Sequence, residues 1–111
     1  TVGDICTRLD ALLRKPDRPT ARLVSRPVHV LTAHGHLLRR GVKVPHEMCV
    51  ISRDDDSFLE HVVPSVARYA SNPSTFAQKL AKVVLAVAER GVSSAADHRI
   101  MPHFVRGETF A

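Results

Sequence analysis

The sequence predicts an α/β fold in which helices cover both faces of a mainly parallel sheet, giving a three-layer sandwich. Two observations predict this class. Short β-branched segments alternate with longer segments whose apolar residues recur at helical spacing. The predicted helices are also bounded by proline, glycine or asparagine signals. At 111 residues, with 44% hydrophobic and 24% charged residues, the chain has the composition of one ordinary globular domain or of part of one.

The first half of the chain predicts two helices separated by a strand. A helix over 2–15 stops before Pro16, a strand follows over 20–25, and a second helix runs from Pro27 to a C-cap at Gly41. We expect the second helix to bury one aliphatic stripe, made of Val30, Leu31, Leu37 and Leu38. Basic residues gather at 14–18 and 39–43, at the predicted helix ends, where cations complement the helix dipole.

The second half predicts further strands around one long helix. Strands are expected over 48–52 and 66–70, with a short helical turn over 58–64 between them. Asn72 and Pro73 then begin a helix that ends at Gly91. Two short terminal strands, over 99–101 and 104–106, are expected on either side of Pro102.

Composition excludes several classes of protein. No apolar run is long enough to span a bilayer, and the sequence starts without a secretory signal pattern, so no membrane partner is expected. Cys6 and Cys49 lie far apart in apolar contexts and are expected to be small buried hydrophobes, which fits a reducing, cytoplasmic compartment. The net charge of +5 is spread along the chain with little aromatic interleaving, so direct nucleic-acid binding by this chain is not expected.

Polar residues follow two of the predicted strands. Ligands of an open parallel sheet bind at the carboxyl ends of its strands. The first strand ends in Ser25 and Arg26, and the second runs into Arg53 and then Asp54. If the two strands are neighbours, Arg26 and Asp54 face one crevice.

Other chemistry at the acidic run 54–56 is less well supported. Asp54 and Asp56 offer two oxygen ligands for a hard cation, but solvated loop carboxylates are far more common, so no metal is assigned. A phosphoacceptor aspartate needs assisting acids and a lysine that the other strand ends lack. His29 and His36 share a helical face, which we interpret as partly exposed surface. No serine has a recognisable base and no glycine-rich phosphate loop exists. The residues therefore favour a binding domain without a cofactor, not an enzyme.

Five segments carry a family resemblance. Pro19-Thr20-Ala21, Gly41-Val42-Lys43-Val44-Pro45 and Asp54-Asp55 occur in the order typical of the C-terminal part of lactose-repressor (LacI/GalR) transcription regulators. The segment from Pro64 to Val87 resembles that family's Pro-x-Leu-Thr-Thr strand and the helix after it. The tail resembles the closing family motif, through Pro102, Phe104, Arg106 and Thr109. The resemblance covers roughly residues 3–110.

The resemblance implies a type I periplasmic-binding-protein-like fold with two lobes around an effector cleft. Residues 1–111 would be an incomplete C-terminal subdomain, the effector-sensing and dimerising part of a regulator. The DNA-binding domain would lie outside this chain, so operator DNA would be bound only through it. The alternative is a lobe of a periplasmic sugar-binding, solute-binding or receptor protein of the same fold.

The resemblance also implies site residues. Asp54 matches the aspartate that commonly binds sugar hydroxyls, Arg26 stands at a polar cleft position, and Ser71 matches a further lining position. Arg53 replaces the usual aromatic residue, and an arginine in the cleft suggests an anionic effector. The expected partner is therefore a sugar or an anionic metabolite. The open alternative is that Arg26 pairs with Asp54 and that the crevice binds nothing.

Overall fold

The computed structural model describes residues 1–91 and 100–111. Its helices are α1 (Val2–Leu13), α2 (Pro27–Arg39) and α3 (Pro73–Arg90), with a short 3-10 helix, η1 (Ser57–His61). Its strands are β1 (Ala21–Val24), β2 (Cys49–Ser52), β3 (Ala67–Ala70) and β4 (His103–Val105). They form one sheet in the order β1-β2-β3-β4, and the pairs β1–β2 and β2–β3 are parallel. The predicted α/β class with a mainly parallel sheet is confirmed.

The chain divides into two compact units, which are described separately. The first comprises residues 1–69 and 104–111 and contains α1, α2, β1, β2 and η1. The second comprises residues 70–103 and contains α3.

Local sequence signals set the helix ends, as predicted. Pro27 is the first residue of α2, where its missing N–H has no intrahelical partner to lose. Asn72 caps α3 by accepting a hydrogen bond from the backbone N–H of Ser74 at 2.9 Å. Gly41 and Gly91 adopt φ of 72° and 83°, a left-handed conformation that lets the chain leave each helix.

The core of the first unit lies between α2, β2 and the segments that follow β2. Six buried residues form it: Val30, Leu37, Met48, Val50, Leu59 and Val66. The prediction that α2 also buries Leu31 and Leu38 is wrong, because these side chains are 45% and 72% exposed. Leu31 follows the core residue Val30, and Leu38 follows the core residue Leu37. Successive side chains of an α-helix point about 100° apart, so both leucines point away from the buried face.

A buried histidine joins α1 to α2. His36 is 3% exposed, so its interpretation as partly exposed surface is wrong. Its Nδ1 lies 2.8 Å from Nη2 of Arg39, which can only donate, so Nδ1 accepts and the ring hydrogen lies on Nε2. Nε2 therefore donates to Oδ1 of Asp10 at 2.8 Å. Arg40 donates to both oxygens of Asp10 at 2.9 Å, which completes the network.

The C-terminal segment bridges β2 and the start of β3. The buried hydroxyl of Thr109 donates to the carbonyl of Val50 at 2.6 Å and accepts from the backbone N–H of Ala67 at 3.0 Å. Gly107, two residues earlier, lies so close to the backbone of Val66 and Ala67 that an added Cβ would overlap their atoms. Only glycine fits that approach, which a local sequence pattern does not reveal.

Of the two strands expected near the C-terminus, one is present among the described residues. The strand expected over 104–106 appears as β4, one residue earlier. Of the strand expected over 99–101, residues 100 and 101 adopt no strand conformation, and residue 99 lies outside the described residues.

Cys6 and Cys49 are free thiols, but each is half-buried instead of buried.

Candidate functional site

Strands β1 and β2 end side by side, as the candidate site requires. Val24 and Ser52 are register partners, and the N–H of Arg53 donates to the carbonyl of Val24 at 2.7 Å. The next residues of each strand therefore lie at one edge of the sheet: Ser25 and Arg26 from β1, and Arg53 and Asp54 from β2. The condition for a shared crevice, that the two strands are neighbours, is met.

Asp54 pairs with the residue before it. Nε of Arg53 donates to Oδ1 of Asp54 at 3.2 Å, and Nη2 donates to Oδ2 at 3.0 Å. These hydrogen bonds hold the pKa of Asp54 below its ordinary value and the pKa of Arg53 above its ordinary value. The alternative that Arg26 pairs with Asp54 is therefore wrong. Within the part of the chain that is described, the exposed Arg26 side chain makes no ion pair or hydrogen bond.

The backbone of the acidic run is fixed from within. Ser52 is fully buried, and its hydroxyl donates to the carbonyl of Asp54 at 2.6 Å. This bond lies directly after β2 and holds the Asp54 backbone in place. Ser52 was not among the predicted site residues. A small hydroxyl residue at a strand end, two residues before a turn, is the signal that would have indicated this role.

The other two aspartates contact different elements. Asp55 accepts a hydrogen bond from Nε of Arg68 on β3 at 2.6 Å. Asp56 is exposed, as expected for a loop carboxylate, and it also caps η1 by accepting from the N–H of Phe58 at 3.4 Å. Arg68 was missed as part of this edge because its partner lies 13 residues away in the sequence.

Ser71 belongs to the second unit. It follows the last residue of β3, precedes the N-cap of α3, and its side chain is exposed. Arg26, Arg53 and Asp54 thus follow the ends of adjacent strands in the first unit, whereas Ser71 lies in the second unit.

The described residues contain neither a metal-binding cluster nor a helix that could span a membrane. Over residues 1–91 and 100–111, no three histidine, cysteine or acidic side chains are placed to hold a metal ion. No helix in the same ranges combines the length and apolarity needed to cross a membrane.

A groove of about 370 Å³ runs beside β1, between α1 and α2. Apolar residues such as Ile5, Leu9 and Leu23 line it together with Arg8 and Arg22. None of the four predicted site residues lines this groove. Among the described residues, the candidate site is therefore separate from this groove.

Comparison with known families identifies the fold. The family described as the periplasmic binding protein-like domain matches residues 2–110. The chain belongs to this family. No curated protein resembles the chain closely enough to count as a match.

Solved structures of LacI-family regulators share the fold. A regulator from Bifidobacterium animalis subsp. lactis superposes with a TM-score of 0.82 at 20% identity, over 100% of this chain and 41% of that one. An Arthrobacter regulator in complex with lactose superposes with a TM-score of 0.78 at 17% identity, over 100% of this chain and 42% of that one. A sugar-binding regulator from Escherichia coli complexed with phosphate superposes with a TM-score of 0.75 at 20% identity, over 99% of this chain and 39% of that one. The chain thus spans about two fifths of the length of these structures, and its resemblance to LacI-family regulators is confirmed at the level of the fold.

Proposed function

We propose that this chain is the effector-sensing and dimerising part of a LacI-family transcription regulator. The observation that carries the proposal is the placement of Arg26, Arg53 and Asp54 at the carboxyl ends of two adjacent parallel strands, where ligands of open α/β sheets bind. Related regulators were crystallised with lactose, with ribose and with phosphate, which supports a small polar effector. The protein is then a binding protein and not an enzyme, and it acts in the cytoplasm.

Each site residue has a proposed role. Asp54 accepts hydrogen bonds from effector hydroxyls, Arg26 and Arg53 bind polar or anionic groups, and Ser71 offers a hydroxyl. Effector binding shifts the population between two arrangements of the intact regulator, and that shift reaches DNA-binding heads outside this chain. Operator DNA is bound only through those heads.

The dimer is proposed to use the outer face of α2. The mispredicted Leu38 is 72% exposed there, and Val63 is 89% exposed. Both line an open groove of about 480 Å³ with Val42, Val44 and Pro64. Exposed apolar surface of this kind marks contact with another protein, and in a homodimer the same face of a second copy covers it.

The test of the site is a titration followed residue by residue. The isotopically labelled chain is titrated with neutral and anionic sugars, and amide resonances report where each compound binds. Because one lobe supplies only part of a two-lobed cleft, we expect millimolar dissociation constants, with shifts centred on Arg26, Arg53 and Asp54. Asp54→Asn should weaken this binding at least about fivefold without unfolding the chain.

Asp17→Asn is the matched control, because Asp17 lies in the exposed turn before β1, away from the strand ends that form the site. It should leave the affinity unchanged. An Asp54→Asn variant that binds as well as the wild type removes Asp54 from the site, and micromolar or tighter binding by this chain alone contradicts its assignment as part of a cleft.

A solute-binding lobe of a periplasmic or receptor protein is the second candidate, since the matched family description fits it equally well. The two differ in what the rest of the polypeptide contains. A helix-turn-helix segment supports the regulator, whereas a secretion signal supports the solute-binding protein.

A further inference from the structure

Arg53 holds the Asp54 carboxylate through two hydrogen bonds. Both carboxylate oxygens of Asp54 accept hydrogen bonds from the Arg53 guanidinium, at 3.2 and 3.0 Å. The two side chains are 58% and 51% exposed, so the pair lies open to an incoming molecule. Each oxygen keeps a lone pair free, so effector hydroxyls can donate to Asp54 while Arg53 stays in place.

The other acids at this edge are occupied as well. Asp55 pairs with Arg68 at 2.6 Å, and Asp56 caps η1. Arg26, at the end of β1, has no counter-ion among the described residues. The charged group at this edge that still lacks a partner is thus a cation.

The cation without a counter-ion separates neutral from anionic effectors. A neutral polyol that donates to Asp54 leaves Arg26 without an anion. A polyol that also carries a carboxylate or a phosphate gives hydroxyl donors to Asp54, and it gives acceptors to Arg26 and to the N–H groups of Arg53 that Asp54 does not use. Arginine binds both kinds of anion through two parallel hydrogen bonds.

We infer that the effector is a small hydroxylated anion, a sugar acid or a sugar phosphate, whose hydroxyls bind Asp54 and whose anionic group binds Arg53 and Arg26. This inference rests on the proposed function, because it names the class of molecule that the proposed site takes. Arg26 acts as the specificity element, because only an anionic ligand supplies the counter-ion that it lacks among the described residues.

Four probes test the inference on the labelled 111-residue chain at constant ionic strength. Gluconate and glucose 6-phosphate carry hydroxyls and an anionic group, glucose carries hydroxyls only, and inorganic phosphate is an anion only. We expect gluconate or glucose 6-phosphate to shift the amides of Arg26, Arg53 and Asp54 with a dissociation constant at least about tenfold below that of glucose. Inorganic phosphate should bind more weakly than the better sugar anion.

Substitutions assign the anion contact. Arg26→Gln and Arg53→Gln should each weaken binding of the sugar anion about fivefold or more, and both positions are exposed, so folding is retained. Arg18→Gln is the control, because Arg18 lies before β1, at the opposite end of the strand, beside Glu47. It removes the same charge and should leave binding within about twofold.

The outcomes distinguish this inference from the function on which it rests. Glucose binding at these residues as tightly as the sugar anions overturns the anionic class and leaves the proposed effector site standing. Phosphate binding as tightly as glucose 6-phosphate indicates an adventitious ion only and also overturns the inference. If no probe shifts these residues at about 50 mM, a concentration that detects even very weak binding, both the class and the site are rejected.

Discussion

At the scale of single residues, the strongest electrostatic feature is the link between α1 and α2. Hydrogen bonds from Arg40 and then from His36 lower the pKa of Asp10 from its ordinary 3.8 to about 2. Because folding lowers this pKa, the ionised carboxylate stabilises the folded state fully above pH about 4, and that stabilisation is lost as the pH falls through about 2. The link therefore makes the fold sensitive to acid at its α1–α2 contact.

Asp10→Asn tests this link. The variant keeps an acceptor for His36 but loses the charge that binds Arg40, so its thermal midpoint should fall below that of the wild type by a few degrees at neutral pH. The difference should shrink as the pH falls from about 4 to about 2, where the wild-type carboxylate also becomes neutral. Asp17→Asn serves as the control, and a difference for Asp10→Asn that is independent of pH contradicts the assignment.

Residue roles were predictable from the sequence only where they depend on local chain position. The placement of Asp54 at a strand end follows from the β-branched run before it, and the structure agrees. The pairing of Asp54 with Arg53 instead of Arg26 depends on side-chain geometry that no spacing rule contains. The burial of His36 likewise depends on Asp10, which lies 26 residues earlier in the chain.

At the scale of elements, helix ends were more predictable than helix faces. Proline, asparagine and glycine act through their own backbone preferences, so they gave α2 and α3 their bounds to within two residues. The face that α2 buries depends on what packs against it. A helix with aliphatic residues at 30, 31, 37 and 38 offers two adjacent stripes, and the contact with β2 selects one of them.

Among the described strands, β1 is an edge strand of the sheet, which gives a prediction about its backbone. Thr20 and Val24 accept hydrogen bonds from the N–H groups of Cys49 and Arg53, so alternate residues face β2. The N–H of Leu23 therefore points to the open edge, whereas that of Arg22 points to β2. Leu23→Pro should change the free energy of unfolding by less than about 1 kcal/mol.

Arg22→Pro is the counterpart, since it removes a hydrogen bond inside the sheet and should cost about 2 kcal/mol or more. Chemical denaturation of both variants measures the difference. Equal losses for the two substitutions would show that the edge of β1 is engaged by another segment or that the alternation is reversed.

At the scale of the whole molecule, the fold class was predictable from the sequence, but the closing contact was not. Alternating strands and helices restrict an α/β chain to few topologies, which is why the mainly parallel sheet follows from the pattern. The insertion of Thr109 between β2 and β3 joins segments 59 residues apart. Such a contact is selected by the folded backbone, and Gly107 permits it by having no side chain.

Self-association is the prediction that belongs to this scale. If the groove beside α2 is covered by a second copy, the wild-type chain forms a dimer whose interface includes Leu38 and Val63. Leu38→Glu places two like charges close to the two-fold axis in a desolvated interface, so it should raise the dimer dissociation constant by about tenfold or more. Sedimentation or light scattering over a range of concentrations measures this change.

Leu23→Glu is the matched control for that experiment. Leu23 is also aliphatic and is 56% exposed, but it lies on β1 and does not line the groove beside α2. The control variant should dimerise like the wild type if α2 provides the interface. If Leu23→Glu dissociates while Leu38→Glu remains dimeric, the interface lies at the edge of β1 and not beside α2. If the wild-type chain is monomeric at every accessible concentration, dimerisation is not a function of this part of the protein.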